Sequence, residues 1–139
     1  MQPALKKKVL RILDANFNRA REGIRVCEEV ARLVLEDPVL TRRAQKLRYE
    51  LTRISSAFAA RSLLDSRNVK EDAGRPALRG SATTHRGCKE IVLANIRRAQ
   101  EALRVLEEFS RLESPGLSRR FSSVRFRAYA LEQDFFSKL

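Results

Sequence analysis

The 139-residue chain is 43% hydrophobic and 33% charged, which suits one folded domain with a real core and excludes a disordered segment. Its formal net charge is +12, and 22 of its 29 cations are arginine, so an anionic partner is expected: a phosphorylated metabolite, a nucleic acid or an acidic surface, with a solvated basic face as the plain alternative. The two cysteines, Cys27 and Cys88, lie far apart and His85 is the one histidine, which excludes a disulfide scaffold and structural zinc. No apolar run approaches the roughly 18–20 residues of a membrane span, and the start MQPALKKKVL has no signal-peptide pattern, so a reduced, cytoplasmic protein is expected.

Apolar residues recur at helical spacing along nearly the whole chain, without a convincing strand pattern. A first helix is predicted from about Pro3 to Leu35, with Pro3 suited to its first turn. Asp37-Pro38 then supplies an N-cap followed by proline at the first helical position. The second helix is predicted to run to about Asp65 on the stripe Leu40, Ala44, Leu47, Leu51, Ile54 and Phe58. Residues 66–87, SRNVKEDAGRPALRGSATTHRG, form the one long irregular segment, of a length that is usually functional or disordered. A third helix is predicted over about Gly87 to Leu112, and Ser114-Pro115 caps a fourth from Gly116 to Ser137.

One long phrase occurs twice. Residues 12–33, ILDANFNRAREGIRVCEEVARL, return 79 positions later as IVLANIRRAQEALRVLEEFSRL, with 12 of 22 positions identical. The likeness continues into the helices that follow, where Leu40, Arg42, Arg43, Leu47, Arg48 and Tyr49 are answered by Leu117, Arg119, Arg120, Val124, Arg125 and Phe126. An all-α bundle is predicted, built from two duplicated helical hairpins with internal pseudo-twofold symmetry. It forms one domain over 1–139: repeat 1 at about 4–65, the linker 66–87, and repeat 2 at about 88–138.

At about 100° per residue, Ile12, Leu13, Ala20, Gly23, Ile24, Cys27, Val30, Ala31 and Val34 share one face of the first helix. Asn16 falls in the middle of that face and Arg19 nearer one edge, flanked by Glu22 and Glu29; Arg21, Arg25, Glu28 and Arg32 point away. In the second copy Asn95 is central, Arg98 off-centre, and Glu101 and Glu108 flank. A buried amide costs a few kcal/mol unless hydrogen-bonded, so a polar pocket shared by both copies is one solution. The other is structural: Asn16 with Asn95 as a register pair, and Arg19 with Glu22 and Arg98 with Glu101 as ion pairs. Arg25, Glu28, Arg104 and Glu107 read as a solvated, salt-bridged face. Arg48 and Arg125 sit at the inner edge of the second helices, where they reach a pocket or snorkel outward. Arg61 is balanced between a pocket role and pairing with Asp65. The start of the linker joins Arg67, Asp72 and a flexible Gly74.

Phosphate loops, GxGxxG, HExxH and GxSxG are all absent, and nucleophilic triads are excluded. The remaining equipment is guanidiniums with inward carboxylates. It suits a pocket for a phosphorylated ligand, with one or two carboxylate oxygens available to Mg²⁺.

The phrases DANFNRAREGIRVCEEVAR, LRYEL, SRNVKEDAG and ANIRRAQEALRVLEE resemble, over about residues 10–135, a small all-helical family of thiamine biosynthesis whose members occur alone or fused ahead of thiamine phosphate synthase. The resemblance implies a hydroxymethylpyrimidine phosphate kinase, which converts its substrate and ATP, with Mg²⁺, into the pyrophosphate. The family motif falls on Asn16, Arg19, Glu22, Arg48, Arg67, Asp72, Gly74, Asn95, Arg98, Glu101 and Arg125. Ala73, Tyr49 and Asn68 stand where valine, histidine and aspartate are expected. Catalytic roles are then expected for Arg19, Arg98 and Arg67. Binding of substrate or nucleotide is expected at Asn16, Asn95, Arg48, Arg125 and Gly74, and of the metal at Glu22, Glu101 and Asp72. The linker is expected to close as a lid that excludes water. Thiamine phosphate synthase is an expected partner, and a homodimer sharing sites remains open. No membrane is expected to bind, and nucleic acid is disfavoured by only nine Phe and Tyr. The alternative function is a non-catalytic module that docks onto the synthase.

Overall fold

A computed structural model describes residues 1–74 and 84–139; every described element is helical. The elements are α1 (Pro3–Glu29), a π-helical turn (Val30–Val34), α2 (Pro38–Ser55), α3 (Ala60–Asp65), α4 (Cys88–Ser110) and α5 (Pro115–Lys138). Helix α1 packs on α2 and α4, and α5 packs on both α2 and α4, so the four long helices enclose one core, with α3 laid against α1. Phe17 sits at its centre, its ring 5.5 Å from Phe121 and 6.0 Å from Phe58.

The predicted caps form. Asp37 accepts from the backbone amides of Val39 (2.9 Å) and Leu40 (3.0 Å). Lys138, 2.6 Å away, and then the Leu40 amide hold the Asp37 carboxyl below the usual range. Ser114 accepts from the Gly116 amide at 3.2 Å.

Two expectations about the first hairpin are corrected. The second helix does not continue to Asp65. It ends at Ser55, where the hydroxyls of Ser55 and Ser56 donate to the carbonyls of Thr52 (2.7 Å) and Arg53 (2.5 Å), an alternative to regular helix bonding. The chain turns, Phe58 reaches the core from the turn, and α3 follows. Val34, expected on the apolar face, is exposed. The π-helical turn, closed by Leu35 N–H to Val30 O at 2.9 Å, rotates the face past Ala31, and the turn ends with Glu36 at a left-handed φ of 50°.

Helices α1 and α4 are in close backbone contact at Gly23. A Cβ there would lie 2.5 Å from the Asn95 carbonyl oxygen and 3.3 Å from Ala99 Cβ. Because the nearer atom is backbone, any side chain forces the helices apart. Beside this crossing Cys27 is fully buried, its thiol 3.7 Å from the Val92 carbonyl, and burial pushes its pKa up from 9.0 to about 12.

Gly23→Ala is therefore expected to destabilise the fold by about 1–3 kcal/mol, as overpacking does, despite alanine's better helix propensity; urea unfolding measures it, and a stabilised variant would contradict the crossing. The thiol of Cys27 stays protonated in the folded state, so its contribution is intact below 9.0 and declines as pH climbs towards about 12. Unfolding free energies followed across that range should fall in the parent and lack this component in Cys27→Ala.

Candidate anion-binding site

One side of the α1–α4 crossing opens into a cavity of about 260 Å³ lined by Asn16, Arg19, Arg98, Glu101, Ala102 and Val105. That size is near the lower end of small-ligand sites, about 300 Å³. Both halves of the repeated phrase contribute to it. Asn16 is buried and its side-chain amide donates to the Ile12 carbonyl at 2.9 Å, one turn back. Asn95 does the same with Ile91 at 2.8 Å, so the two asparagines are not a register pair. Each keeps its carboxamide oxygen and a second N–H for other partners.

The cations beside them are uncommitted. Arg19 and Arg98 are exposed and have no ion-pair partner among the described residues; neither Arg19–Glu22 nor Arg98–Glu101 forms. Glu101 is likewise unpaired within the described residues and lines the cavity, whereas Glu22 is exposed beside it on α1. Two guanidiniums, one carboxylate and an asparagine edge around a small concavity can hold a phosphate ester through charge-assisted hydrogen bonds.

Other arginines of the expected set are fastened to carboxylates. Glu28 is 2% exposed, and Arg48 donates to it at 2.9 and 3.3 Å. Glu107 is equally buried and receives Arg125 at 2.8 Å and Arg104 at 3.2 Å. These bonds make Arg48 and Arg125 more firmly cationic, with Glu28 and Glu107 as the leading causes. Glu28 and Glu107 were expected on a solvated face. They point inward because α1 and α4 each pack against two neighbouring helices, so the buried arc is wider than the apolar stripe, and the extra width takes a carboxylate met by an arginine of the next helix.

Arg67 donates to Asp14 at 2.5 and 2.9 Å, and this pair belongs to a separate hollow with Arg11, Asn18 and Asp72. Asp72 lies 3.6 Å from Arg11 and accepts the Gly74 amide at 2.8 Å. Of the expected residues, Asn16, Arg19, Arg98 and Glu101 line the α1–α4 cavity, Arg48 and Arg125 enter helix-tying ion pairs, and Arg67, Asp72 and Gly74 make this third cluster, while Asn95 and Glu22 do not line the cavity. Arg61 leaves the core altogether and pairs with Asp65 at 3.1 Å in solvent. Glu22, Glu101 and Asp72 do not form a three-donor metal group among the described residues. A single carboxylate, Glu101, fits a Mg²⁺ that takes its other oxygens from phosphates and water. The expected lid is described only at its two ends; residues 75–83 lie outside the described residues.

Asp14, Arg97, Gln100 and Tyr129 were not singled out from the sequence. Asp14 is matched by Leu93 in the second copy, so a search for shared polar residues passes over it. Gln100 is matched by Arg21 and Tyr129 by Thr52, which hides both for the same reason.

A model described as the ThiD2 family matches residues 11–134. The chain is 36% identical over 132 residues to a thiamine-phosphate synthase of Synechocystis sp., covering 95% of this chain and 37% of that protein. It is 36% identical over 126 residues to the thiamine-phosphate synthase of Nostoc punctiforme (91% and 35%), and 37% over 127 residues to that of Thermosynechococcus vestitus (91% and 35%). The chain thus spans about a third of the length of these curated relatives, which are proteins of thiamine biosynthesis. No solved structure matches it. No described helix is long and apolar enough to cross a membrane.

Arg48→Ala would leave Glu28, 2% exposed, without its counter-ion from α2 and is expected to destabilise the fold by about 3 kcal/mol. Glu28→Leu combined with Arg48→Met should recover most of that loss. Denaturant unfolding of the single and double variants measures the coupling, and strictly additive losses would contradict the pairing.

Proposed function

The chain belongs to the ThiD2 family, and from that membership and the α1–α4 cavity we propose that it phosphorylates 4-amino-5-hydroxymethyl-2-methylpyrimidine phosphate with ATP, giving the pyrophosphate for thiamine biosynthesis. The observation that carries this reading is the pair Arg19 and Arg98, guanidiniums without an ion-pair partner among the described residues, which come from the two copies of one phrase and line one small cavity.

The chemistry asks little of the protein beyond placement. A phosphate monoester loses its second proton at about pH 6, so at neutral pH the acceptor is already a nucleophile and needs no base. One of its oxygens bonds to the γ-phosphorus of ATP as the bond to the ADP oxygen breaks. Arg19 and Arg98 would hold the acceptor phosphate and offset the charge gathered around the transferring group. Asn16 and Asn95 would offer an amide edge to the ring nitrogen and exocyclic amine of the pyrimidine. Glu101 would hold the Mg²⁺, which when bound neutralises charge on the nucleotide phosphates. Arg48 and Arg125, fixed to Glu28 and Glu107, would position the helices from which the free arginines project.

A second reading, favoured by the names of the relatives, is a non-catalytic helical module that docks onto thiamine-phosphate synthase.

Mixing the protein with ATP, Mg²⁺ and the pyrimidine phosphate separates the two: the kinase forms the pyrophosphate, the module does not. Arg19→Ala and Arg98→Ala are expected to lower turnover by about 100-fold or more with the unfolding midpoint unchanged, while Arg53→Ala on the outer face of α2 should behave as the parent. Full activity in both cavity variants would overturn the assignment.

A further inference from the structure

The groove between α4 and α5 carries a feature that the kinase reading does not use. It encloses about 500 Å³ and is lined by Arg97, Gln100, Glu101, Arg104, Arg125 and Tyr129. Glu101 also lines the α1–α4 cavity, so the two concavities adjoin at that carboxylate. Gln100 is only 7% exposed, and its Nε2 is buried without a hydrogen-bond partner among the described residues. A buried amide donor left unpaired is costly and is rarely retained without reason. At the matched position 79 residues earlier stands Arg21, which donates to Asn18 at 3.1 Å. The first half is satisfied there; in the second half the Gln100 Nε2 is unpartnered among the described residues and shielded from solvent, so a ligand in the groove reaches it once the side chain turns outward.

The surroundings of that donor are cationic and aromatic. Among the described residues Arg97 has one ion-pair partner, Glu132, at 3.9 Å. Arg104 and Arg125 share Glu107, at 3.2 and 2.8 Å, and Arg104 also pairs with Glu108 at 2.8 Å. The Arg125 guanidinium lies 5.8 Å from the Tyr129 ring centre and donates to its hydroxyl at 3.4 Å. Tyr129 is 41% exposed at the groove's edge, and its counterpart in the first half is Thr52, which has no ring. Three guanidiniums, a buried amide without a partner among the described residues and a part-exposed aromatic ring match a polyphosphate joined to a planar base.

We propose that the α4–α5 groove, through Arg97, Gln100, Arg104 and Tyr129, is the seat of a nucleoside triphosphate, so that the second half of the chain holds the nucleotide while the α1–α4 cavity holds the acceptor. This assignment rests on the kinase reading for the nucleotide's purpose. It places the Glu101 carboxylate between the two phosphate-bearing ligands, and it gives a use to Gln100 and Tyr129, two of the positions at which the halves differ.

The test is equilibrium binding of a non-hydrolysable ATP analogue to the whole protein, with tripolyphosphate as a parallel ligand and without pyrimidine phosphate. The parent should bind both. Gln100→Leu should weaken both by about tenfold, the scale of one hydrogen bond to a charged group, while leaving the unfolding midpoint equal or higher because an orphaned amide is removed. Arg97→Ala should also weaken both, and Tyr129→Ala should weaken only the analogue, by about tenfold, with Tyr129→Phe close to the parent. Parent-like binding in Gln100→Leu and Tyr129→Ala, no binding by the parent, or a Gln100→Leu variant that unfolds more easily would each overturn the assignment. Tight nucleotide binding through these residues without pyrophosphate formation would sink the kinase reading and leave the groove standing. Turnover that is indifferent to them would do the reverse.

Discussion

Helices α1 and α4 meet so closely at Gly23 that the Asn95 carbonyl occupies the space a Cβ would need. The rest of the arrangement depends on that approach. It brings the two copies of the repeated phrase into one interface, buries Cys27 against α4, and draws Arg19 and Arg98 to the same cavity. The residue matched to Gly23 in the second copy is Ala102, which lines the cavity beside Asn16. Glycine stands where the helices touch and alanine where they leave room. Close packing transmits such differences because a methyl group cannot be absorbed without moving backbone.

The arginines then sort by whether a carboxylate meets them. Arg48, Arg67 and Arg125 each face an almost fully buried Glu28, Asp14 or Glu107, and none of those acids would be tolerated there alone. The pairs tie α2 to α1, the residues after α3 to α1, and α5 to α4. Arg19 and Arg98 have no such partner among the described residues and stay in contact with water. An unpaired guanidinium keeps its hydration until an anion replaces it, so these are the positions where a phosphate gains most from the chain. Surface links such as Arg43 with Asp134 and Arg120 with Glu50 join α2 to α5 and add little individually.

Much of this is legible in the sequence. The Asp37-Pro38 and Ser114-Pro115 caps marked the helix starts, and helical spacing put Asn16, Arg19 and Arg98 on the faces that line one cavity, though Asn95 does not line it. The break after Ser55 was not legible, because serine hydroxyls that bond their own preceding carbonyls leave no trace in hydrophobic period. Glu28 and Glu107 were misplaced because a helical wheel sees one helix, and the arginines that let those carboxylates be buried stand 20 and 18 residues further along. Arg67 with Asp14 spans 53 residues, beyond any local pattern. Gln100 and Tyr129 escaped for the opposite reason: attention to what the two copies share conceals the places where one copy departs.

The central claim is that Arg19 and Arg98 act on one phosphate, and a double-mutant cycle on binding measures it most directly. Calorimetric affinities for the pyrimidine phosphate would be taken for the parent, Arg19→Ala, Arg98→Ala and the double variant. Two guanidiniums on one phosphate predict that the double loss differs from the sum of the single losses by about 1 kcal/mol or more. Strictly additive effects, or single variants that bind as tightly as the parent, would contradict a shared site.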